Sequence, residues 1–218
     1  MSIGNHTLAV QYYDKCIGIL RRLDGIGETL GAGYNNLGNS YQRMGDYENA
    51  TESQQKAVNI YRMLNDRSDA MVICLMNYAT SYVGNTTRYF SLLNKAYNIR
   101  AEIGLKHYTT GQIQFHRGRM QLSLEQFHRA ADSFENAVDI FEQEEGLHQR
   151  RISEALLLWG VALKKLGRLE EAELQLTRSL KISERLAAKD NDIPCKKVDN
   201  LKDALRELGE VKSKMGRR

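Results

Sequence analysis

Proline is almost absent from this chain: Pro194 is the single one in 218 residues, where an average composition would supply about ten. Proline interrupts helices because it lacks an N–H donor and clashes with the preceding turn, so its absence lets helices form along most of the chain. Cysteine is also sparse, and Cys16, Cys74 and Cys195 are widely spaced without a Cys-x-x-Cys pair. A disulfide framework or a zinc site is therefore not expected.

Long apolar runs and a secretion signal are missing as well. No stretch of about 18 apolar residues occurs, so no membrane span is expected. Residues 1–7 contain no basic region followed by an apolar run, so no signal peptide is expected. We predict a cytoplasmic protein, with the nucleus as the alternative compartment.

Neither sign of charge dominates. The chain has 31 basic and 27 acidic residues, a net charge of +4, and residues 1–109 and 110–218 each carry +2. Nucleic-acid-binding proteins usually concentrate Lys and Arg on one face or tail, so this class is disfavoured. The one basic cluster, Lys212, Lys214, Arg217 and Arg218, is interpreted as a solvated chain end. Hydrophobic residues make up 42% and charged residues 27%, as in a folded chain rather than a disordered one.

Motifs for catalysis or cofactor binding do not occur. The sequence contains no phosphate-cradling glycine motif, no HExxH and no Gly-x-Ser-x-Gly elbow. His128 and Asp132 are four residues apart and are interpreted as a surface pair rather than a proton- or metal-binding site. The acidic pairs Glu144-Glu145 and Glu170-Glu171 are placed at helix ends or exposed faces. We predict no enzyme activity, no cofactor and no metal.

An internal repeat is present instead. The segments that match one another lie 39 to 42 residues apart or twice that: 14–23 on 55–64, 94–100 on 55–61, 136–141 on 56–61, and 118–137 on 160–179. Each unit predicts two helices, since Tyr34, Leu37 and Tyr41 follow helical spacing and Gly45-Asp46 then predicts a turn. Small residues recur where the two helices would cross: Gly38, Ala79, Gly118 and Gly160 in the first helix, and Ala50, Ala130 and Ala172 in the second. Two antiparallel helices pack about 8–10 Å apart only where the side chains at their crossing are small.

The motif Tyr34-x2-Leu37-Gly38-x2-Tyr41 followed by Ala50 resembles the tetratricopeptide repeat (TPR) family. Similar but weaker patterns are Leu75-x2-Tyr78-Ala79-x2-Tyr82, Ala130-x3-Phe134-x2-Ala137 behind Gly118, and Leu156-x2-Trp159-Gly160-x2-Leu163. The long period, instead of 34, and the missing closing prolines are similar to the TPR arrays of the LGN/Pins adaptors and kinesin light chains. The resemblance implies an all-α, right-handed α-solenoid of antiparallel helix pairs, with about ten helices.

The resemblance also suggests how the chain is organised. We predict a TPR array over 1–188, followed by an amphipathic helix and a basic tail over 189–218, with Pro194 at the boundary. The array would comprise a half unit at 7–23 and full units at about 28–64, 68–104, 107–145 and 149–187. Either residues 1–23 act as an N-terminal cap, or the chain is a piece of a longer array. In the last segment Val198, Leu201, Leu205, Leu208, Val211 and Met215 form one apolar stripe, which either caps the array or is offered to a partner or a second copy.

Stacked TPR units line a concave groove with their first helices. The first-helix positions that point away from the Leu/Gly packing face are predicted to bind a partner: Asn35, Asn39, Gln42, Arg43, Met76, Asn77, Thr80, Phe115, His116, Arg119, Leu157, Val161, Lys164 and Lys165. Asn and Gln carry both a donor and an acceptor and can hold a peptide backbone. A merely solvated polar face is the alternative.

The hypothesis is therefore a non-catalytic adaptor that binds an extended or helical peptide segment of a partner protein. Arg119, Lys164 and Lys165 favour a segment that is acidic at one end. By the resemblance, Asn39 and Asn77 occupy the Asn places of the clamp for chaperone C-terminal carboxylates, but its basic places hold Asn35, Gln112 and His116. Binding to such tails is therefore not expected. The alternatives are an RNA-associated repeat protein, indicated only by Tyr89, Phe115 and Arg119, and a sensor of a small ligand.

Overall fold

A computed structural model describes residues 3–23, 27–82, 84–105, 107–143, 147–189 and 195–215. These residues form ten α-helices and, within the ranges given, no strand. The helices are α1 (Ile3–Leu23), α2 (Glu28–Met44), α3 (Tyr47–Met63), α4 (Asp69–Thr80), α5 (Thr86–Ile103), α6 (Tyr108–Ser123), α7 (Phe127–Glu142), α8 (Gln149–Lys165), α9 (Leu169–Lys189) and α10 (Cys195–Met215). Pro194, Glu144, Glu145, Arg217 and Arg218 lie outside the described part, as do the side chains of Cys195, Val211, Lys212, Lys214 and Met215.

Local sequence accounts for the helix ends. The predicted Gly45-Asp46 turn is confirmed: Gly45 has φ 81°, a left-handed conformation that suits glycine, and its N–H and that of Asp46 close α2 on the carbonyls of Gln42 and Tyr41. The Asp46 carboxylate then caps α3 by accepting from the Asn49 N–H at 3.2 Å. Because only these two residues separate α2 from α3, the two helices are antiparallel.

The helix crossings require the small residues that the sequence places there. A Cβ added at Gly38 would lie 2.6 Å from Gln54 Cγ and 3.0 Å from the Ala50 carbonyl oxygen. A Cβ added at Gly160 would lie 2.7 Å from Leu176 Cγ and 3.3 Å from the Ala172 oxygen. Such separations leave no room for a side chain. The prediction that close helix approach explains these glycines is confirmed.

The chain divides into two compact units, Met1–Leu105 and Lys106–Arg218. Unit 1 contains α1 to α5, and unit 2 contains α6 to α10. The boundary between them falls inside the stretch that the repeat interpretation treats as one array. In both units consecutive helices pack together, and α2 also contacts α4 in unit 1, as α6 contacts α8 in unit 2.

Unit 2 has one apolar cluster that reaches α10. Phe134 and Phe141 are fully buried at its centre, and Leu201 and Leu208 of α10 are buried in the same cluster as Leu176 of α9. The apolar stripe of α10 therefore faces its own unit at these positions and is covered there.

α4 is the least regular first helix. It is 12 residues long and ends at Thr80, so Tyr82 lies beyond the helix rather than within it. Apolar residues occur on nearly every side of α4, and Met71, Val72, Leu75 and Tyr78 are all buried. Such a helix packs on several sides at once: α2, α3 and α5 all contact α4, while Ile73 stays exposed and Asn77 and Thr80 stay half-buried.

Candidate functional site

Five of the predicted groove residues come together on one surface of unit 1, where α2 meets α4. We call this surface the amide face: Asn35, Asn39, Gln42, Asn77 and Thr80, all half-buried. Asn77 Nδ2 donates to Asn35 Oδ1 at 3.1 Å, and Gln42 Nε2 donates to Thr80 Oγ1 at 2.7 Å. The Thr80 hydroxyl in turn donates to the Asn77 carbonyl at 2.6 Å. The two helices thus present a continuous strip of hydrogen-bonding groups.

A residue of α3 supports this strip from behind. Gln54 is fully buried; its Nε2 donates to Asn39 Oδ1 at 3.2 Å, and its Oε1 accepts from the Ser81 hydroxyl at 2.6 Å. The carboxamide of Gln54 therefore holds Asn39 from the core side. Gln54 was not among the predicted site residues. The sequence does contain a signal for it, because the repeat places this polar residue at the position that the apolar Leu93, Phe134 and Leu176 fill in other units.

Two other predicted residues of unit 1, Arg43 and Met76, do not belong to the amide face. Arg43 is exposed near the end of α2. Met76 is only 2% exposed, because α4 is covered on the side that it faces. Met76 is therefore part of the core, whereas Arg43 is accessible.

Unit 2 carries a cationic surface on α6 and α8, which we call the basic patch and define by Arg119 and Arg151. The guanidinium carbons of Arg119 and Arg151 lie 6.0 and 5.9 Å from the centroid of the Phe115 ring, within the range of a cation–π interaction. Phe115 itself is only 5% exposed. Arg119 is exposed, while Arg151 also pairs with Glu154 at 2.9 Å.

Arg151 was not among the predicted site residues. The predicted residues were those close to the Leu/Gly packing face of each first helix. Arg151 was not included because it lies more than one turn before Leu156. The tertiary structure brings it to Phe115 because α6 and α8 are in contact. No periodic pattern in the sequence indicates that pairing.

His116, beside Phe115, is held neutral. Its Nδ1 atom is inaccessible to solvent, and burial lowers the pKa of the imidazole to about 4, helped by the positive charges of Arg119 and Arg151. At neutral pH the charge of the basic patch therefore comes from the two arginines and not from His116.

The remaining predicted residues of unit 2 lie along α8. Leu157 and Val161 are half-buried, and Lys165 is exposed. Lys164 Nζ lies 3.3 Å from Glu207 Oε2 of α10, so its charge is partly compensated. Of the predicted basic residues of unit 2, Arg119 and Lys165 are exposed, and Arg119 also lies beside Arg151 at the Phe115 ring.

Other chemistry has little support in the described residues. Within them, no three His, Cys, Asp or Glu side chains lie close enough to hold a metal ion, and no helix has the length and hydropathy of a membrane span. Burial raises the pKa of the Cys74 thiol to about 12, so this cysteine is not a nucleophile at neutral pH. Tyr89 and Phe115, two of the three residues that suggested RNA, are buried and cannot stack on bases.

Comparisons with known proteins agree with this architecture. The tetratricopeptide repeat family model matches residues 1–63. A search of curated protein sequences finds no significant match. Among solved structures, the chain is similar to BtubC (BKLC) from P. vanneervenii, with 18% identity and a TM-score of 0.79 over 97% of this chain and 83% of that one.

Two further structures are similar at comparable identity. One contains the nearly identical TPR-like repeats of a putative kinesin light chain from Podosopora anserina, with 19% identity and a TM-score of 0.63 over 84% of this chain and 89% of that one. The other is the APC/C hetero-tetramer Cut9-Hcn1, with 14% identity and a TM-score of 0.66 over 97% of this chain and 34% of that one. At such identities the similarity establishes the fold.

The fold is the all-α solenoid of helix pairs that the repeat predicted, and this fold class is confirmed. The tetratricopeptide repeat family model covers residues 1–63, and the fold of the described residues is similar to that of the solved helical-repeat structures. TPR folds generally mediate protein–protein interactions, and TPR scaffolds are generally non-catalytic.

Proposed function

We propose that this protein is an adaptor that binds peptide segments of partner proteins on its first helices. The amide face of unit 1 would bind the backbone of an extended segment, and the basic patch of unit 2 would bind an acidic segment. The observation that carries the proposal is the hydrogen bond between Asn35 and Asn77, because its direction determines which groups of the two amides remain available.

The two amides offer complementary groups to a peptide backbone. Asn35 accepts on Oδ1 and keeps its NH2 group as a donor, while Asn77 donates one N–H and keeps Oδ1 as an acceptor. A donor and an acceptor side by side match the C=O and N–H of an extended chain. Gln42 adds a second acceptor, since it uses only its Nε2 toward Thr80. Mid-helix Asn has poor helix propensity, which supports a role beyond helix formation.

The chemistry of unit 2 supports a side-chain carboxylate as the ligand of Arg119 and Arg151, rather than the C-terminal carboxylate of a chaperone tail. The low pKa of His116 leaves that residue uncharged, and Gln112 donates to the Tyr108 hydroxyl at 3.1 Å. Neither supplies the positive charge that the corresponding clamp positions would need. Arg119 instead presents an exposed guanidinium beside Arg151, which already pairs with Glu154, so Arg119 is the group offered to an Asp or Glu side chain.

The amide face is tested by replacing Asn35 and Asn77 together with Ala. Removing both partners leaves no orphaned amide. Linear peptides selected on the wild-type chain from a displayed random library should bind this variant about 5- to 150-fold more weakly, since two hydrogen bonds of about 0.5–1.5 kcal/mol each are lost. Fluorescence anisotropy gives the Kd values.

The matched control is Asn59→Ala with Asn98→Ala, because both residues are exposed asparagines on the second helices of the same unit. Its peptide affinity should equal that of the wild-type chain. An equal loss in the control, or a library that yields no binding peptide, would contradict backbone recognition by the amide face.

The basic patch is tested by Arg119→Glu. Peptides that carry Asp or Glu should lose at least about 10-fold in affinity at low salt, and the difference should shrink as salt rises, because screening weakens exposed charges. Lys164→Glu should have a smaller effect than Arg119→Glu, since Glu207 already compensates part of that lysine's charge. The control Arg129→Glu makes the same charge change on exposed α7; similar losses in both variants would mean that net charge, and not the patch, attracts the peptide.

A further inference from the structure

α1 has an exposed apolar stripe on the side away from α2. Leu8, Tyr12, Cys16, Ile19 and Leu23 follow one another at spacings of 4, 4, 3 and 4 residues, which places them on one face of the helix. All five are exposed, Tyr12 by 60% and Ile19 by 54%. A contiguous apolar face of this kind, on a helix that is about 30 Å long, indicates an interaction surface.

The repeat shows what kind of element such a face accepts. With the shift of 41 residues, Tyr12, Cys16 and Ile19 correspond to Ser53, Ala57 and Ile60 of α3. Those three residues are 6%, 0% and 8% exposed, because the antiparallel helix α2 packs closely over that side of α3. The same register on α1 also keeps small residues at the crossing places, with Ala9 matching Ala50 and Cys16 matching Ala57. The stripe therefore accepts an antiparallel helix, although Tyr12 stands where α3 has the smaller Ser53.

The stripe is also complementary to itself. If two copies of α1 lie antiparallel, with a two-fold axis between residues 15 and 16, Leu8 meets Leu23 and Tyr12 meets Ile19 of the other copy. Each of the two apolar pairs forms twice, because the two-fold axis repeats it. A single register of the two helices therefore gives all four large residues an apolar partner. A two-fold interface requires this kind of self-complementarity. In contrast, the stripe of α10 is covered at Leu201 and Leu208 by its own unit.

We propose that the exposed stripe of α1 is a homodimerisation surface, on which α1 of a second copy packs antiparallel in the manner of α2 on α3. One helix pair buries less surface than a standard protein–protein interface. The dimer is therefore reversible and depends on concentration. This surface is separate from the amide face and the basic patch, so its failure would leave the proposed adaptor function unaffected.

The antiparallel register places the two Cys16 residues next to each other. Each lies half a residue from the two-fold axis, and with helix axes about 9 Å apart their Cα atoms come within about 6 Å, inside the range of a disulfide. Mild oxidation of the full chain should therefore give a covalent dimer. Cys195→Ser should leave this covalent dimer intact and Cys16→Ser should abolish it, because Cys74 is buried.

Sedimentation equilibrium of the full chain tests the proposal without cross-linking. The wild-type chain should pass from monomer to dimer as concentration rises. Tyr12→Glu with Ile19→Glu should weaken the dimer by at least about 30-fold, since it places charges in an apolar contact. Leu174→Glu is the control, because Leu174 is a similarly exposed apolar residue on α9 of unit 2, and it should dimerise as the wild type does. Circular dichroism checks that each variant is folded.

Three results would overturn the proposal. A chain that stays monomeric at every concentration has no such surface. A dimer that Tyr12→Glu with Ile19→Glu does not weaken uses another surface. A dimer that this variant weakens, but that gives no Cys16 cross-link on oxidation, contradicts the antiparallel register proposed for the two α1 helices.

Discussion

Gly118→Val should lower the free energy of unfolding of unit 2 by about 3 kcal/mol, the upper part of the range for overpacking a buried site. A Cβ at position 118 would lie 2.8 and 2.9 Å from Cε1 and Cδ1 of the Phe134 ring. Phe134 is fully buried at the centre of the apolar cluster, so the ring has no free volume to move into. α6 and α7 would have to separate, and every contact between them would weaken.

Urea denaturation followed by circular dichroism measures this loss as a lower midpoint with an unchanged slope. The matched control is Gly209→Val in α10 of the same unit, where a Cβ would meet nothing within 4 Å. That variant should be as stable as the wild-type chain or slightly more so, because Val has a better helix propensity than Gly. A loss below about 1 kcal/mol for Gly118→Val would show that the crossing tolerates a side chain, contrary to the close-packing explanation.

Acid should destabilise unit 2 through His116, by up to about 3 kcal/mol between pH 6.5 and pH 4. Burial, and then the charges of Arg119 and Arg151, lower the pKa of this histidine to about 4 in the folded chain, from 6.5 when it is free in solution. The unfolded chain therefore binds the proton first as pH falls. The stabilising effect of the neutral ring is fully present above pH 6.5 and is lost as the pH drops toward the folded pKa.

His116→Gln isolates this effect from that of the carboxylates, which also titrate in acid. Its unfolding free energy should fall less steeply than that of the wild type between pH 6.5 and pH 4, when both are measured by urea denaturation at a series of pH values. His128→Gln, at an exposed position on α7 of the same unit, should keep the wild-type slope. An NMR titration that places His116 near pH 6.5 would contradict a buried, neutral ring.

The repeat and its physical requirements could be read from the sequence. The period of 39 to 42 residues, the Gly45-Asp46 turn and the glycines at 38, 118 and 160 are local features whose structural consequence does not depend on distant residues. Helical spacing assigns one face of each helix to its pair partner, and a turn of two residues makes the partners antiparallel. These rules lead to repeated antiparallel helix pairs before any coordinates are known, and the resemblance to the TPR family adds the solenoid.

Helical spacing predicted the candidate site less well than it predicted the helix pairs. Spacing relative to the pair partner identified Asn35, Asn39 and Asn77 on the amide face, but it also selected Met76 and Phe115, which are buried. The physical reason is that a first helix contacts more than its partner: α4 packs against α2, α3 and α5, so a residue that points away from one neighbour points toward another. Periodicity describes a single helix and contains no information about the third helix that covers it.

The sequence by itself determined the number of helices, their pairing and the places where they approach most closely, since these follow from short-range spacing and side-chain size. Only the tertiary structure decided which polar residues meet. It placed Gln54 behind Asn39, joined Asn35 to Asn77, and brought Arg151 to the ring of Phe115. It also left the stripe of α1 uncovered while covering that of α10 at Leu201 and Leu208. These outcomes depend on contacts between residues as much as 42 positions apart in sequence, and such contacts are settled by packing rather than by local propensity.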